Sequence, residues 1–121
     1  MKREETINRN QQKRAQELVH ELYNRLVQRS NPQPQLIEIN EVLLQVYQTL
    51  ETEKNPEPLI NRLVNYIYRV GFDHKIRFDK EEETLIIELG TIANRAGLNG
   101  VYRSDASDKS QFYPLFSKKI K

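Results

Sequence analysis

The sequence predicts an all-α protein that folds as an antiparallel up-and-down four-helix bundle with a C-terminal turn and tail. Apolar residues recur at helical spacing in four separate segments of the 121-residue chain. Proline-containing breaks separate the first three segments, and no segment has a strand pattern of comparable strength. Four amphipathic helices with short connections bury their apolar stripes best when sequential helices pack antiparallel.

The first two helices lie on either side of an Asn-Pro-Gln-Pro break at 31–34. Proline ends the first helix there because it lacks a backbone donor and restricts the residue before it. The first helix carries the stripe Leu18, Val19, Leu22, Tyr23, Leu26 and Val27. The second carries the stripe Ile39, Val42, Leu43, Val46, Tyr47 and Leu50.

The third helix follows an Asn-Pro-Glu-Pro break at 55–58. Asn55 is expected to cap it, with Pro56 at its first position. The helix is predicted to end near Gly71, and residues 72–78 to form a connection. Its stripe consists of Leu59, Ile60, Leu63, Val64 and Ile67, with Tyr68 as a further candidate.

The fourth helix begins with a predicted capping pair, Asp79 and Glu82. Glu81 and Glu83 add negative charge at this N-terminus, where the helix dipole favours it. The stripe is Leu85, Ile86, Leu89, Ile92, Ala93 and Ala96. Gly97 is placed to end the helix in a left-handed conformation.

The chain divides into three parts: a polar N-terminal extension at 1–15, the bundle at 16–97, and a turn and tail at 98–121 that pack partly on the bundle. The extension either lengthens the first helix or frays. Asn99 and Gly100 are predicted to reverse the chain because both tolerate positive φ. We expect the tail to add little to stability, so that removal of residues 112–121 leaves the melting temperature nearly unchanged.

Composition excludes several classes of protein. The chain has no cysteine, which rules out disulfides, thiol nucleophiles and cysteine-bound metals. No apolar run approaches the ~20 residues that span a bilayer, and no apolar segment follows the charged start, so we expect a cytoplasmic protein without a secretory signal. The net charge is only +2, but the segment from Asn94 onward contains six basic residues and two acidic ones.

No set of residues predicts catalysis, a cofactor or a metal. His20 and His74 stand on different elements, and the best carboxylate cluster, Glu81 to Glu83 with Glu88, finds no convincing partner on a facing helix among Glu17, Glu21, Glu38 and Glu41. A metal-dependent nucleotide hydrolase is therefore the weakest alternative. A helical nucleic-acid-associated or regulatory module is the stronger alternative, because Arg62, Arg69, Lys75, Arg77, Arg95 and Arg103 lie in the second half. Acidic residues interleave with these, so we expect no nucleic-acid partner.

Three stretches match a known family in order and spacing. They are QELVHELYN at 16–24, PLINRLVNYIY at 58–68 with KIRF at 75–78, and AGLNGVYRSDASDKSQF at 96–112. Through them the chain resembles the enterocin A immunity proteins, which protect producers of pediocin-like (class IIa) bacteriocins from their own peptide. The last stretch is the most specific. The extension at 1–15 is longer than is usual for that family, and the tail after Phe112 has no matching pattern.

The resemblance implies a cytosolic four-helix bundle that is not an enzyme and needs no cofactor. It implies action at the inner membrane face, on the bacteriocin-bound permease of the mannose phosphotransferase system, with the lethal pore blocked. It also implies that the C-terminal half sets which bacteriocins are resisted. We expect a monomer with, at most, a weak contact to anionic lipid through Lys118, Lys119 and Lys121.

Partner contacts are therefore predicted in the C-terminal segment. Gly97, Asn99 and Gly100 are expected to build the turn. The predicted contact residues combine exposed charges with aromatic and apolar side chains that have no helical stripe to join: Tyr102, Arg103, Asp105, Asp108, Lys109, Phe112, Tyr113, Leu115 and Phe116. For Tyr102 and for the apolar and aromatic tail from Phe112 onward, packing on the bundle is an equal alternative to contact with a partner.

Overall fold

The computed structural model describes residues 2–94 and 107–113, with side chains from Arg9 onward. Within these ranges the chain forms helices and no strand, and the predicted four-helix bundle is confirmed. The helices are α1, Lys2–Val27; α2, Pro34–Leu50; α3, Pro56–Asp73; and α4, Lys80–Asn94, followed by a short 3-10 helix, Lys109–Phe112.

Polar contacts between α1 and α2 fix their relative direction. The Gln16 side chain donates to the carbonyl of Tyr47 at 3.1 Å, and the Gln12 side chain donates to the carbonyl of Leu50. A step towards the N-terminus of α1 is thus a step towards the C-terminus of α2, so the two helices are antiparallel. These bonds also satisfy carbonyls that the end of α2 leaves without an intrahelical donor.

Ion pairs fix the direction of α4 against α1 in the same way. Arg14 forms a bidentate pair with Glu88 at 2.9 and 3.0 Å, and Arg29 pairs with Glu82 at 2.5 Å. Arg14 lies within α1 and Arg29 lies just beyond its end. The later of these two arginines meets the earlier glutamate of α4, so these helices are also antiparallel. Arg29 donates in addition to the carbonyl of Arg77 at 2.7 Å, which ties the end of α1 to the α3–α4 connection.

One continuous core lies between the four helices, and every predicted stripe contributes to it. Within the stripes, Val27 and Tyr68 were placed wrongly, since about half of each side chain is exposed. Tyr66 was missed, and it is fully buried. Nineteen predicted residues are buried: Leu18, Val19, Leu22, Leu26, Ile39, Val42, Leu43, Val46, Leu50, Leu59, Ile60, Leu63, Val64, Ile67, Leu85, Ile86, Leu89, Ile92 and Ala93. Tyr23 and Tyr47 are partly buried against them, and Ala96 lies outside the described residues.

The start of α4 is capped as predicted. The Glu82 amide donates to Asp79 Oδ1 at 2.8 Å, and the Asp79 amide donates to Glu82 Oε1 at 2.9 Å, which is a reciprocal capping box. The start of α3 differs from the prediction, because Asn55 occupies the N-cap position but its side chain makes no capping hydrogen bond.

The end of α3 also differs from the prediction, since the helix continues past Gly71 to Asp73. Gly71 instead leaves room for Phe78: a Cβ at this position would lie 3.1 Å from a ring carbon of Phe78, which is tighter than an ordinary van der Waals contact. The chain then turns at Lys75, whose φ of 56° is left-handed, and the Ile76 amide bonds to the Gly71 carbonyl at 2.9 Å.

The N-terminal extension follows the first of its two alternatives, because residues 2–15 continue α1 without a break. Ala15 is fully buried, and Gln11 is mostly buried as well. This part of α1 therefore belongs to the bundle, and it contacts the C-terminal end of α2 through the Gln12 side chain.

Candidate functional site

The described C-terminal segment, residues 107–113, lies across α2 and α3, and we call it the strap. Asp108 builds its local fold: Oδ1 accepts from the Ser110 amide at 3.0 Å and from the Ser110 hydroxyl at 2.7 Å. The Gln111 side chain donates to the Asp108 carbonyl at 2.7 Å. Asp108 is exposed as predicted, but its carboxylate is engaged in forming the 3-10 helix.

Phe112 anchors the strap in the core. Its side chain is only 5% exposed, and its ring stands edge-on to Tyr66 with centroids 5.3 Å apart. Of the two alternatives for Phe112, contact with a partner and packing on the bundle, this position corresponds to packing on the bundle. Because the anchor is buried, we now expect removal of residues 112–121 to lower the melting temperature rather than leave it nearly unchanged. Phe112 belongs to no helical stripe, yet the 3-10 turn carries it onto α3.

Lys109 holds the strap against α2. Its Nζ lies 3.7 Å from a carboxylate oxygen of Glu38 and 3.8 Å from one of Glu41. All three side chains are about half exposed, so these pairs are weak and sensitive to salt. The ammonium group predicted as a partner contact is thus paired within the chain, although it remains open to solvent.

Tyr113 closes the strap at the edge of the core. The ring is partly buried, and burial is the main cause that raises the pKa of its hydroxyl, with the charge of Glu41 adding to the effect and that of Lys109 opposing it. Ile37 and Leu44 lie near Glu41 on the exposed face of α2, with nearly half of each side chain open to solvent. Strap and helix together form a surface that mixes charge with exposed apolar groups.

Beneath the strap, the Tyr66 hydroxyl is buried, and it has no hydrogen-bond partner among the residues that the structure describes. Burial raises the pKa of Tyr66 to about 12, and the charges of Glu38 and Glu41 add to the rise. The hydroxyl therefore lies within electrostatic reach of the same two carboxylates that Lys109 pairs. The sequence gives no sign of this, since helical spacing does not distinguish Tyr66 from Tyr68.

A second surface lies where α3 meets α4. A groove of about 710 Å³ is lined by aromatic side chains, Tyr68, Phe72 and Phe78, with Lys75 and Glu83 at its edge. Phe72 is 83% exposed, which is unusual for so large an apolar side chain. It was missed because residues 72–78 were predicted to be a connection, whereas Phe72 projects from the last turn of α3.

Several of the carboxylates considered as metal ligands form ion pairs with arginines. Glu88 and Glu17 both pair with Arg14, and Glu82 pairs with Arg29. In the described part of the chain no three potential ligands come together as a metal site. None of the helices described combines the length and apolar character needed to cross a membrane.

Eight of the predicted contact and turn residues lie outside the described ranges. They are the contact candidates Tyr102, Arg103, Asp105, Leu115 and Phe116 and the turn residues Gly97, Asn99 and Gly100. Of the predicted contacts that are described, the strap brings Asp108, Lys109 and Tyr113 to the surface and places Phe112 inside.

The fold and this surface define a small helical bundle whose C-terminal segment is seated across two of its helices. The chain belongs to the bacteriocin immunity protein family, whose family model matches residues 13–94. The predicted resemblance to the enterocin A immunity proteins is thereby confirmed at the level of the family.

Individual relatives agree with this assignment. The probable leucocin-A immunity protein of Leuconostoc gelidum is 54% identical over 81 residues, which cover 67% of this chain and 72% of the relative. The probable mesentericin-Y105 immunity protein of Leuconostoc mesenteroides is 50% identical over 97 residues, covering 80% and 85%.

A solved structure resembles this one as well. It is the crystal structure of EntA-im, an immunity protein that confers immunity to the antimicrobial activity of the pediocin-like bacteriocin enterocin A. The sequences are 48% identical, the TM-score is 0.58, and the match covers 80% of this chain and 98% of EntA-im.

Proposed function

We propose that this protein protects its cell from a pediocin-like bacteriocin by acting at the cytoplasmic face of the membrane. The partner in this proposal is the bacteriocin-bound permease of the mannose phosphotransferase system, and binding blocks the pore. Family membership and the immunity described for EntA-im support the class of bacteriocin. The permease and the compartment follow from the resemblance described above.

The observation that carries the proposal is the strap seated across α2 and α3. The described part of the segment that we infer to recognise the partner lies on the helices, where Lys109 pairs with Glu41, and Glu41 shares the exposed face of α2 with Ile37 and Leu44. A surface that combines charges with apolar side chains suits recognition of another protein, since charges orient the encounter and buried apolar groups supply affinity.

Protection in this proposal is a binding function without catalysis. Residues 98–121 recognise the partner, with Tyr102, Arg103, Asp105, Leu115 and Phe116 as contacts, and the helices present this segment to it. The charges of Lys118, Lys119 and Lys121 add a weak attraction to anionic lipid near the permease. The protein acts as a monomer and needs no cofactor.

Bacteriocin-dependent capture tests the proposed partner directly. An affinity-tagged form of the full chain is expressed in sensitive cells, which are then exposed to a pediocin-like bacteriocin or left untreated. The permease is expected to co-purify with the tagged chain from exposed cells and to be nearly absent from untreated ones. Recovery of the permease from neither sample, or equally from both, contradicts the proposed mechanism.

Two truncations separate recognition from stability. A chain that ends after Tyr113 keeps the Phe112 anchor and should melt almost as the full chain does, yet lose or change its protection. A chain that ends after Gln111 loses the anchor and should also melt earlier. Arg103→Ala should weaken protection more than Arg9→Ala, an exposed control on α1. Full protection by the chain that ends after Tyr113 contradicts a recognition role for residues 114–121.

A further inference from the structure

The groove between α2 and α3 differs from the other helix contacts of the bundle. These two helices touch each other less than the other sequential pairs, and the strap contacts both of them, α2 through Lys109 and α3 through Phe112. Phe112 fills the apolar part of the groove on Tyr66, and Lys109 lies over the acidic part formed by Glu38 and Glu41. The strap thus occupies the groove as a bound peptide would.

The strap does not provide good hydrogen bonds to all the polar groups around it. Tyr66 is fully buried, and within residues 2–94 and 107–113 its hydroxyl finds no hydrogen-bond partner. Buried hydroxyls are normally bonded, and one that is not favours any state in which a partner or water reaches it. The Lys109 ammonium stands at 3.7 and 3.8 Å from its two carboxylates, which is longer than a strong charged hydrogen bond.

The two carboxylates beside the strap favour a cation, and the Tyr66 hydroxyl beneath it can donate or accept a hydrogen bond. Glu38 and Glu41 offer only acceptor oxygens, and the Tyr66 hydroxyl lies within reach of their charges. Such a site suits a segment that carries a lysine or arginine next to an apolar or aromatic side chain. The combination of Lys109 and Phe112 in the strap is one example of such a segment.

We propose that the α2–α3 groove is a binding site for a basic, aromatic segment of the partner protein and that the strap is an internal occupant which this segment displaces. The incoming cation takes the place of Lys109 between the two carboxylates. A polar group of the partner segment bonds the Tyr66 hydroxyl, which the strap leaves unbonded. This inference rests on the proposed function, because the partner is the protein met during protection.

Removal of the Tyr66 hydroxyl tests both parts of the proposal, namely how firmly the strap is seated and whether the partner uses the hydroxyl. Tyr66→Phe keeps the ring on which Phe112 packs and deletes the unbonded group. The strap should then be seated more firmly, and exchange of the Tyr113 amide, which bonds the Ser110 carbonyl at 3.1 Å, should slow by about fivefold or more. Tyr68→Phe, at a largely exposed tyrosine on another side of α3, is the control and should leave this exchange rate unchanged.

Protection should move in the opposite direction from stability. Cells that express Tyr66→Phe should tolerate about fivefold less bacteriocin than cells with the unsubstituted chain, at equal abundance, although the variant melts at or above the original temperature. Faster exchange or a lower melting temperature overturns the proposal, because the hydroxyl would then be bonded in the seated state. Slower exchange with full protection also overturns it. Absence of protection by the unsubstituted chain is a failure of the proposed function instead.

Discussion

The ring of Phe112 stands edge-on to the ring of Tyr66, with centroids 5.3 Å apart, so a residue far beyond the end of α4 completes the core of the bundle. The contact joins the segment that is proposed to meet a partner to the helices that give the protein its stability. Changes in the strap are therefore expected to be visible in the stability of the fold as well as in protection.

Phe112→Ala should lower the free energy of unfolding by about 1–2 kcal/mol. This is less than the 3–5 kcal/mol typical of a core phenylalanine, because the loss is limited to the free energy of seating the strap. Urea denaturation followed by circular dichroism measures it. Phe72→Ala is the matched control, and at 83% exposure it should change stability by less than about 0.5 kcal/mol. Equal effects of the two substitutions would show that the strap is not seated in solution.

Substitutions in the core between the helices should lower the free energy of unfolding more than Phe112→Ala does. Leu63→Ala and Ile86→Ala each remove a fully buried side chain and should cost about 2–5 kcal/mol. Ile87→Ala, next to Ile86 on α4 but mostly exposed, serves as the control and should cost well under 1 kcal/mol. If Leu63 and Ile86 were as tolerant as Ile87, the assigned stripes would be wrong.

Glu82 should matter for stability rather than for chemistry. Its carboxylate caps α4 and pairs with Arg29 while it is only 3% exposed, so Glu82→Gln leaves the arginine without its counter-charge. We expect a loss of about 1–3 kcal/mol, reduced by the partial exposure of Arg29 to solvent. Glu83→Gln, at the exposed neighbour, should be nearly neutral. Protection should survive Glu82→Gln at equal abundance of folded protein, and its loss would indicate a direct role.

Stability should fall in alkali because of Tyr66. Its pKa is raised from 10.0 to about 12, so between these values the unfolded chain has lost a proton that the folded chain keeps. The contribution of Tyr66 is therefore fully present below pH 10 and is lost as the pH rises through about 12, by about 2–3 kcal/mol. Urea denaturation at pH 9 and at pH 11.5 measures the change. Tyr66→Phe should lose less stability over this interval than the unsubstituted chain, and an equal loss would contradict the raised pKa.

Most of the fold could be predicted because its signals are local. The Asp79–Glu82 capping box needs only residues three positions apart, and the stripes follow from the period of a helix. The ambiguity between Tyr66 and Tyr68 could not be resolved in this way. Both flank the stripe residue Ile67, and which of them is buried depends on the strap, which covers the side of α3 that carries Tyr66.

The site was predictable only in outline. The charges and aromatic residues of the C-terminal segment indicated a contact region, and Asp108 and Lys109 do lie at its surface. The partners of Lys109 could not be predicted, because Glu38 and Glu41 are about 70 residues away from it in the sequence. Such pairings depend on how the helices pack, and no sequence spacing records them.

Protection of a sensitive cell tests the central claim most directly. The unsubstituted chain and the chain that ends after Tyr113 are expressed at equal abundance in cells sensitive to pediocin-like bacteriocins, and the inhibitory concentration of each peptide in a panel is measured. The unsubstituted chain should raise this concentration for at least one pediocin-like peptide and for no bacteriocin of another class, and the truncated chain should lose or redirect the effect. Unchanged inhibitory concentrations across the whole panel with the full chain would contradict the proposed function.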